Sequence, residues 1–531
     1  MKFQHHKYYF LFALLLLLSN FLLAQKKEKV ELIYANTAEY SKHFNQDVQR
    51  VKGNVIFKQE ETYLYCDSAW FYEIANKVEA LGKVHIKASD TLNIFGDTAI
   101  YDGDKRIAVV SGNVKVIDNQ MVLTTDKITY ELDTKFAYYL DGGKIVDQNN
   151  TLISDKGYYY TQIKEFFFKD NVELDNQQYI MRSDTLMYHT ITEIARFYGP
   201  TTIEGDSNFI YCSKGWYDTK KDISQFMGEP YLITNKAKIS GDTLYYDRNT
   251  GYGKAVENIR ILDTTQNILV VGEYADYYEF TGFYMVTDSA ILKQYSNNDT
   301  LFLHADTLKA QADSLKELEL LKAYYNVRFF KSDLQGVCDS LSYDFRDSLM
   351  RMYVEPVLWS EQTQLSADSI RLLFYDGVMD KLFMYSSSLI LNKDDTASYN
   401  QIKGVNMIAY FKDNDIHRID VFDKSETIYF VREDNGALIG INKAQSKDLR
   451  MYISDARINR IVFLSDADAI LYPDKELAQK DRFLKAYKSY FSIRPKDKFD
   501  IFKKMEIQRE LLQEQDDENE TEEETEEEFM E

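Results

Sequence analysis

The sequence is poor in residues that interrupt or cross-link a chain. Among 531 residues there are 5 prolines, 3 cysteines and 7 histidines. A disordered chain is usually rich in proline and poor in aromatics, whereas this one has 41 tyrosines and 32 phenylalanines. The composition excludes disorder for most of the chain and is typical of β-sheet.

Basic residues are also in deficit. Lys and Arg together number 63 against 85 Asp and Glu, a formal net charge of −22. This balance excludes a nucleic-acid partner bound through neutralised phosphates. Twelve of the acidic residues lie in 514–531, which contains no basic residue. We predict a disordered acidic tail there and a mildly acidic body before it.

Long apolar runs are missing beyond the N-terminus. The first segment reads MKFQHHKYYFLFALLLLLSNFLLAQ, with two lysines, an apolar run from Tyr8 to Leu18 and a small-residue cleavage point at Ala24. This pattern predicts a secretory signal peptide over 1–24. The alternative is an uncleaved anchor helix, but the run is shorter than the roughly 20 residues that cross a bilayer.

The body consists of one repeat used many times. The repeat consists of an apolar residue, a spacer, a small residue, an Asp, then Ser or Thr, and a later aromatic residue. It reads LYCDSAWF at 64–71, IFGDTAIY at 94–101 and LTTDKITY at 123–130. Successive copies are separated by 29–33 residues. The Asp position falls at Asp67, Asp97, Asp126, Asp155, Asp184, Ser213, Asp242, Glu273, Asp306, Asp339 and Asp368.

The second half of each period is an apolar run, a turn residue and an alternating stretch, as in AVVSGNVKVI at 108–117. Pro200, Pro230 and Pro356 occupy the turn position in later copies. Because proline cannot donate to a β-ladder, this position is expected at a turn or strand edge. Each unit of ~29 residues is therefore predicted to hold two or more short strands.

The spacing inside the Asp half predicts a bend. Leu64 and Ala69 are five residues apart, as are Ile94 and Ala99. A flat strand repeats one face every two residues, so both members cannot face one core unless the chain bends between them. Stacked bends of this kind predict an all-β fold, an elongated open β-jelly roll or solenoid with a shared apolar interior.

The cysteines and the repeated Asp, which could in principle bind metals or react, are explained by structural roles. Cys66, Cys212 and Cys338 share the small bend position. They are several layers apart and beyond disulfide reach, which predicts small buried thiols. The repeated Asp lacks the short glycine-rich period of calcium-binding repeats, so we expect its side chain to accept backbone hydrogen bonds at the bend. We find no nucleophile elbow, phosphate loop or metal-spaced histidine pair, and predict no enzyme activity, cofactor or metal.

The C-terminal part changes character. Residues 402–431 and 457–464 have strand patterns, whereas 474–487 has helical spacing of Leu477, Phe483, Leu484 and Tyr487, and a second short helix is predicted over 503–513. The chain is predicted to have five segments: a signal peptide 1–24, a β-jelly roll 25–295, a second β-jelly-roll section 296–470, a helical appendage 471–513 and the acidic tail 514–531.

Several runs resemble the OstA-type, or LptA-like, proteins. They are VKGNVIF, IFGDTAIYDGDKRIAVVSGNVKVID, LTTDKITYELDTKFAYYLDGG and VNMIAYFKDNDIHRID, and the similarity covers roughly 32–431. The resemblance implies an open β-jelly roll whose apolar groove carries lipopolysaccharide through the periplasm to the outer membrane. The repeat array is longer than a single LptA-like domain, and no run of long alternating strands follows it.

The resemblance also implies a site and partners. Lipopolysaccharide is the expected ligand, and other jelly-roll components of the transport bridge and the outer-membrane translocon are expected to pair with edge strands such as Val30–Tyr34. The predicted lipid-lining residues form two inward columns: Leu64, Ile94, Leu123, Leu152 and Ile210 before the bend, and Phe71, Tyr101, Tyr130, Tyr159 and Tyr188 beyond it.

Two alternatives remain on the residues alone. An exported β-solenoid with a filled core acts as a scaffold or adhesin through its surface, and such a core alternates large and small residues across facing strands. A glycan-processing β-helix enzyme requires clustered exposed carboxylates. An accessible cleft along the interior distinguishes the lipid conduit from both.

Overall fold

A computed structural model describes residues 28–40, 48–119, 121–147, 150–296, 299–315, 317–395, 398–412, 415–433, 435–454 and 457–503. The predicted signal peptide, the acidic tail and the helix predicted beyond Lys503 lie outside these residues. The described chain is almost entirely β-strand, and the predicted all-β jelly-roll class is confirmed. Two compact units divide it: 1–206 with 213–220, and 207–212 with 221–531.

The first unit is an antiparallel sheet in which most strands pair with the next strand in the chain. Strands β3 to β8 form such a meander, and β13 to β15 form another. The strands are β1 Glu31–Tyr34, β2 Thr37–Tyr40, β3 Val48–Gln59, β4 Thr62–Tyr72, β5 Lys77–Lys87, β6 Leu92–Asp102, β7 Ile107–Asp118, β8 Met121–Glu131, β9 Phe136–Tyr139, β10 Gly143–Val146, β11 Thr151–Ser154, β12 Lys156–Tyr160, β13 Glu165–Asp175, β14 Tyr179–His189 and β15 Ile194–Gly205.

The second unit has the same antiparallel pairing, and β16 (Asn208–Asp218) contributes residues to both units. Its other strands are β17 Ile223–Met227, β18 Tyr231–Thr234, β19 Ala237–Ser240, β20 Thr243–Asp247, β21 Tyr252–Asp263, β22 Ile268–Tyr278, β23 Phe283–Thr287, β24 Ile291–Tyr295, β25 Thr300–His304, β26 Thr307–Ala312, β27 Leu318–Phe330, β28 Gln335–Asp344, β29 Leu349–Tyr353, β30 Val357–Ser360, β31 Thr363–Ser366, β32 Ser369–Tyr375, β33 Val378–Lys393, β34 Tyr399–Lys412, β35 Asp415–Phe422, β36 Ser425–Arg432, β37 Leu438–Ser446, β38 Asp448–Ser454, β39 Arg457–Leu464 and β40 Asp468–Tyr472.

The predicted bend is present as a β-bulge. Leu64, Cys66, Ala69 and Phe71 are all buried, so the inward face changes parity between Cys66 and Ala69. Opposite Asp67 the neighbouring strand carries the extra residue of the bulge, and its register shifts there. We call the sheet on the Leu64 side of these corners the first arm and the sheet on the Phe71 side the second arm.

Two consecutive left-handed residues build most of the corners, whereas at Gly142 and Gly199 a single glycine is left-handed. Gly112 and Asn113, for example, have φ of +77° and +47°. A Cβ on Gly112 would lie 2.6 Å from Asp97 Oδ2, so glycine meets both the backbone and the space requirement. The Asn113 side-chain amide donates to Asp97 Oδ2 at 2.7 Å. The same Asn-to-Asp bond joins three further pairs: Asn171 to Asp155, Asn258 to Asp242 and Asn326 to Asp306.

These bonds refine the expectation for the repeated acid. In four copies its partner is the side-chain amide of a corner Asn, whereas the predicted backbone donor is found at Glu273, which accepts from the Asn258 backbone at 3.0 Å. The small bend residue is explained by packing, because a Cβ on Gly96 would meet Val110 Cγ1 at 2.4 Å. Cys66, Cys212 and Cys338 are buried thiols outside any disulfide, as predicted.

The prolines lie where a backbone donor is not needed. Pro200 follows Gly199 at the β15 bulge, whereas Pro230 and Pro356 immediately precede β18 and β30. The expectation of a turn or strand-edge position is therefore confirmed.

Two expectations about chain organisation differ from the structure. The boundary predicted near residue 295 lies inside the second unit, because β24 and β25 pair across it from Ile291↔His304 to Tyr295↔Thr300. The helix predicted over 474–487 is not continuous. That segment contains only the short 3₁₀ turns Asp474–Glu476 and Gln479–Arg482, followed further on by Phe491–Ile493 and Asp500–Phe502. Its apolar residues contact a sheet face in extended stretches, so the apparent helical spacing reflects another packing mode.

Candidate functional site

The predicted first column forms one row across the first arm. Leu64, Ile94, Leu123 and Leu152 are at most 7 % exposed. Between them lie Ile86, Val116 and Ile145, which pair with them across neighbouring strands. The first unit thus has an unbroken aliphatic row at this level of the interior.

The predicted second column is buried in the second arm. Phe71, Tyr101, Tyr130 and Tyr159 have little exposure, and Tyr188 is half-buried. The cross-strand sequence from Tyr101 to Tyr159 is Tyr101–Ala108–Tyr130–Ala137–Tyr159. This alternation of large and small residues is the packing of a filled interior.

Side chains of both arms meet in the interior of the first repeats, where the rings of Phe57 on the first arm and Phe71 on the second lie 5.2 Å apart. A cavity of about 10 Å³, enough for one water molecule, is bordered by Phe57, Leu64, Ile86 and Tyr101. Leu64 and Tyr101, one from each predicted column, border this same cavity, so a ligand between the two columns would have to separate the arms there.

Polar bonds join the ends of the two arms. On the first arm, buried Gln59 accepts a hydrogen bond from the Tyr101 hydroxyl and donates to Gly103 O at 3.0 Å. Buried Asp118, also on the first arm, accepts from the Tyr159 hydroxyl at 2.6 Å and from Lys164 Nζ at 2.9 Å. We call these two groups the Gln59 and Asp118 cross-arm bonds.

The hydrogen bonds to Asp118 stabilise its charged form although the side chain is buried. Burial by itself raises the pKa of Asp118, but hydrogen bonds from Tyr159, Lys164 and Thr91 outweigh it and hold the pKa below the ordinary 3.8. The pKa of Tyr159 is raised by burial and by its bond to the carboxylate. Asp118 is therefore charged and Tyr159 is a neutral donor at neutral pH. Tyr159 was predicted from its repeat position, whereas Asp118 did not stand out in the sequence, because a single acid among 85 gives no signal.

The interior is less enclosed at the beginning of the second unit. Inward residues of the first arm form the paired row Ile210–Leu232–Ile239–Ile261–Val270, all of them partly exposed. On the second arm, Tyr246, Tyr277 and Tyr284 are also partly exposed. We call these eight residues the open section. Of them only Ile210 was predicted, although Ile239, Tyr246, Val270 and Tyr277 occupy the same repeat positions.

Tyrosine hydroxyls make this section amphipathic. The rings of Tyr277 and Tyr284 stack with centroids 4.8 Å apart, and the Tyr246 hydroxyl donates to Glu279. Burial raises the pKa of both Tyr246 and Tyr277, so their hydroxyls stay neutral. The section offers aliphatic and aromatic surface with neutral polar groups at its margin.

Within the described ranges, no group of three or more His, Cys, Asp or Glu side chains is arranged to hold a metal ion. A separate observation concerns helices: none in the described part of the chain is both long and apolar enough to cross a bilayer.

Comparison with known proteins supports the resemblance noted in the sequence. Residues 27–184 match the family model of OstA-like proteins, which confirms the resemblance for that segment. One similar solved structure is the crystal structure of LptH from Pseudomonas aeruginosa, the LptA-homologous periplasmic component of its lipopolysaccharide transport device. The two chains are 20 % identical over 21 % of this chain and 80 % of that one, with a TM-score of 0.19. Among curated proteins, none matches.

Proposed function

We propose, with the OstA-like match of residues 27–184 as the premise, that this protein binds lipopolysaccharide in its apolar interior and carries it through the periplasm towards the outer membrane. The single observation that carries the proposal is the aliphatic row of the open section, which faces inward and is partly exposed: Ile210, Leu232, Ile239, Ile261 and Val270. A continuous apolar row of this kind favours acyl chains, because their binding removes apolar surface of both the chains and the row from water.

Passage through the first unit would require its arms to separate. Separation breaks the Gln59 and Asp118 cross-arm bonds, at a cost of about 1–3 kcal/mol for each neutral group left unsatisfied and more for the Asp118 carboxylate. Burying four CH₂ groups of an acyl chain contributes roughly 3 kcal/mol. A lipid with several long chains can therefore offset the loss of these bonds, so the packed interior is compatible with a path that opens around its ligand.

The edge of the sheet formed by β1 indicates where partner proteins bind. Strand β1 pairs with β3, and its Ile33 and Tyr34 are about half exposed. An edge strand with apolar side chains can accept a strand from another jelly roll by β-augmentation. We propose that components of the transport bridge and the outer-membrane translocon bind here. The function needs binding and release only, without an enzymatic step.

A filled scaffold is the second candidate. It is favoured by the alternating Tyr–Ala packing and the 10 Å³ cavity of the first unit. In that case the surface performs the function and no lipid enters.

Photocrosslinking separates the two candidates. A photoreactive residue is placed at Ile94, Leu123, Leu152 or Ile261, and at exposed Lys127 as the outward control. Cells producing each variant are irradiated, and the purified protein is probed for lipopolysaccharide. Capture at the inward positions and not at Lys127 supports the lipid path. Absent labelling, or equal labelling at inward and outward positions, leaves the scaffold.

A further inference from the structure

The C-terminal segment 473–503, which we call the strap, lies on the outer face of the first arm in the second unit. Beneath it runs the cross-strand row Gln335–Trp359–Gln364–Leu391–Gln401–Ile428, at most 2 % exposed. Outer-face residues of the first arm in the first unit are partly exposed, such as Tyr65 and Phe95, or exposed, such as Ile153 at 47 %. The strap thus covers a sheet face that elsewhere is open to water.

Buried glutamines attach the strap through its backbone. Gln364 donates to Lys488 O at 2.9 Å and accepts from Tyr490 N at 2.6 Å. Gln401 donates to Arg482 O and accepts from Leu484 N, both at 2.8 Å. Each amide therefore pairs with the strap as a neighbouring β-strand would, and a buried amide left unpaired is strongly disfavoured.

Apolar anchors and a buried cation complete the attachment. Leu477 and Leu484 pack on Ile428, Phe430 and Ile441. Ile493 packs with Val337, Val357 and Trp359. Buried Arg328 donates to Ile493 O at 2.9 Å. At its end, the Phe502 ring lies 5.1 Å from the His304 ring on β25, so the strap crosses the strands from β37 back to β25. A change of twist between these strands would break several of its contacts.

The interior beneath the strap is closed. Inward residues of the strapped first arm, such as Leu303, Leu358, Leu365 and Ile390, are nearly or fully buried. Inward residues at the same level in the unstrapped strands of the same unit, such as Ile261 and Val270, are partly exposed. Along the second unit, the interior is open over β16 to β22 and closed from Leu292 on β24, the strand next to the strapped ones.

We propose that the strap is a brace that keeps repeats 300–446 closed, so that acyl chains bind in the second unit only along the open section. This inference rests on the proposed function. The ligand class is the acyl chains of a lipid, held by aliphatic residues such as Leu232, Ile261 and Val270 and bordered by Tyr246 and Tyr277. The strapped repeats act as a stop that directs the chains out of the open section.

The test begins with the unaltered fold. A photoreactive residue is placed at Ile261 or Val270 in the open section, and at Leu365 or Ile390 beneath the strap. The purified full chain is mixed with lipopolysaccharide micelles and irradiated. The brace predicts at least tenfold more capture at 261 and 270 than at 365 and 390. Equal capture at all four positions overturns the brace but leaves the proposed function standing, whereas no capture at any position overturns both.

A variant with a released strap tests whether the strap causes the closure of the interior beneath it. Gln364→Ala with Gln401→Ala removes the four backbone bonds without changing an inward residue, and Gln225→Ala on the outer face of the second arm is the matched control. Hydrogen exchange of 477–493 reports strap release, and circular dichroism reports folding. The brace predicts that release raises capture at 365 severalfold, while the control stays at the wild-type level. Released strap with unchanged capture at 365 overturns it. If the double variant unfolds or keeps its strap, the same measurement is made with Ile493→Asp.

Discussion

At the scale of single residues, the corners depend on requirements that are met locally. Asn113 supplies a left-handed backbone and a hydrogen bond to Asp97 in one side chain. Replacement by alanine loses the bond and disfavours the backbone, whereas glycine loses the bond alone. We expect Asn113→Ala to destabilise the corner by about 1–2 kcal/mol and Asn113→Gly by roughly half as much. Hydrogen exchange at residues 96–98 measures the difference, and equal exchange in both variants would contradict it.

The bend cysteines allow a second residue-scale prediction. Burial raises the pKa of Cys66 to about 12, and it also raises the pKa of Cys338. Because the thiolate is the reactive form, native thiols should not react with an aromatic disulfide reagent at pH 8. We expect no fast-reacting thiol in the native protein and three in denaturant. Rapid native labelling of Cys66 would show that the corner opens readily.

At the scale of structural elements, the Asp118 cross-arm bond links strands that are far apart in the chain. Asp118→Ala leaves the buried Tyr159 hydroxyl without its acceptor, and we expect a loss of about 1–3 kcal/mol. Tyr159→Phe, which removes the hydroxyl and keeps the ring, is the milder control. Because the folded pKa of Asp118 is lowered, its stabilising contribution is complete above pH 3.8 and is lost as the pH falls further. Thermal unfolding of wild type and Asp118→Asn between pH 6 and 2 should therefore converge in acid.

The end of the strap should become less stable as the pH falls below 6.5. The His304 ring lies 5.1 Å from that of Phe502, and Nδ1 bonds to Ala290 O at 2.9 Å. Burial lowers the pKa of His304 below 6.5, a shift assisted by Arg328 and opposed by Asp306 and the bond to Ala290. Neutral histidine is thus favoured in the folded state, so stability is complete above pH 6.5 and declines as the pH falls through 6.5 towards the lowered folded pKa. We expect faster intrinsic-rate-corrected exchange of 498–503 at pH 5 than at pH 7.5, and no such difference in His304→Phe.

At the scale of the whole molecule, the two units should respond differently to one kind of substitution. Leu123 is packed in the closed interior, so Leu123→Asp would bury an unpaired charge. We expect this substitution to lower the free energy of unfolding by about 3–5 kcal/mol. Ile261 is partly exposed, so Ile261→Asp should fold and lose lipid capture instead. Exposed Arg260→Asp is the matched control for Ile261. Thermal unfolding and lipopolysaccharide crosslinking separate the outcomes, and a folded Leu123→Asp protein with normal capture would contradict the predicted lipid path.

The sequence by itself determined the repeat, the corner and the two inward columns. These features depend on the parity between Leu64 and Ala69 and on the need for a small residue such as Gly96, both of which are local. The tertiary structure alone decided which part of the interior is closed, which polar groups join the arms, and that residues 474–487 belong to the strap and form no continuous helix. The reason is physical: Asp118 meets Tyr159 across 41 residues and Gln364 meets Tyr490 across 126, and no periodic pattern encodes such distant contacts.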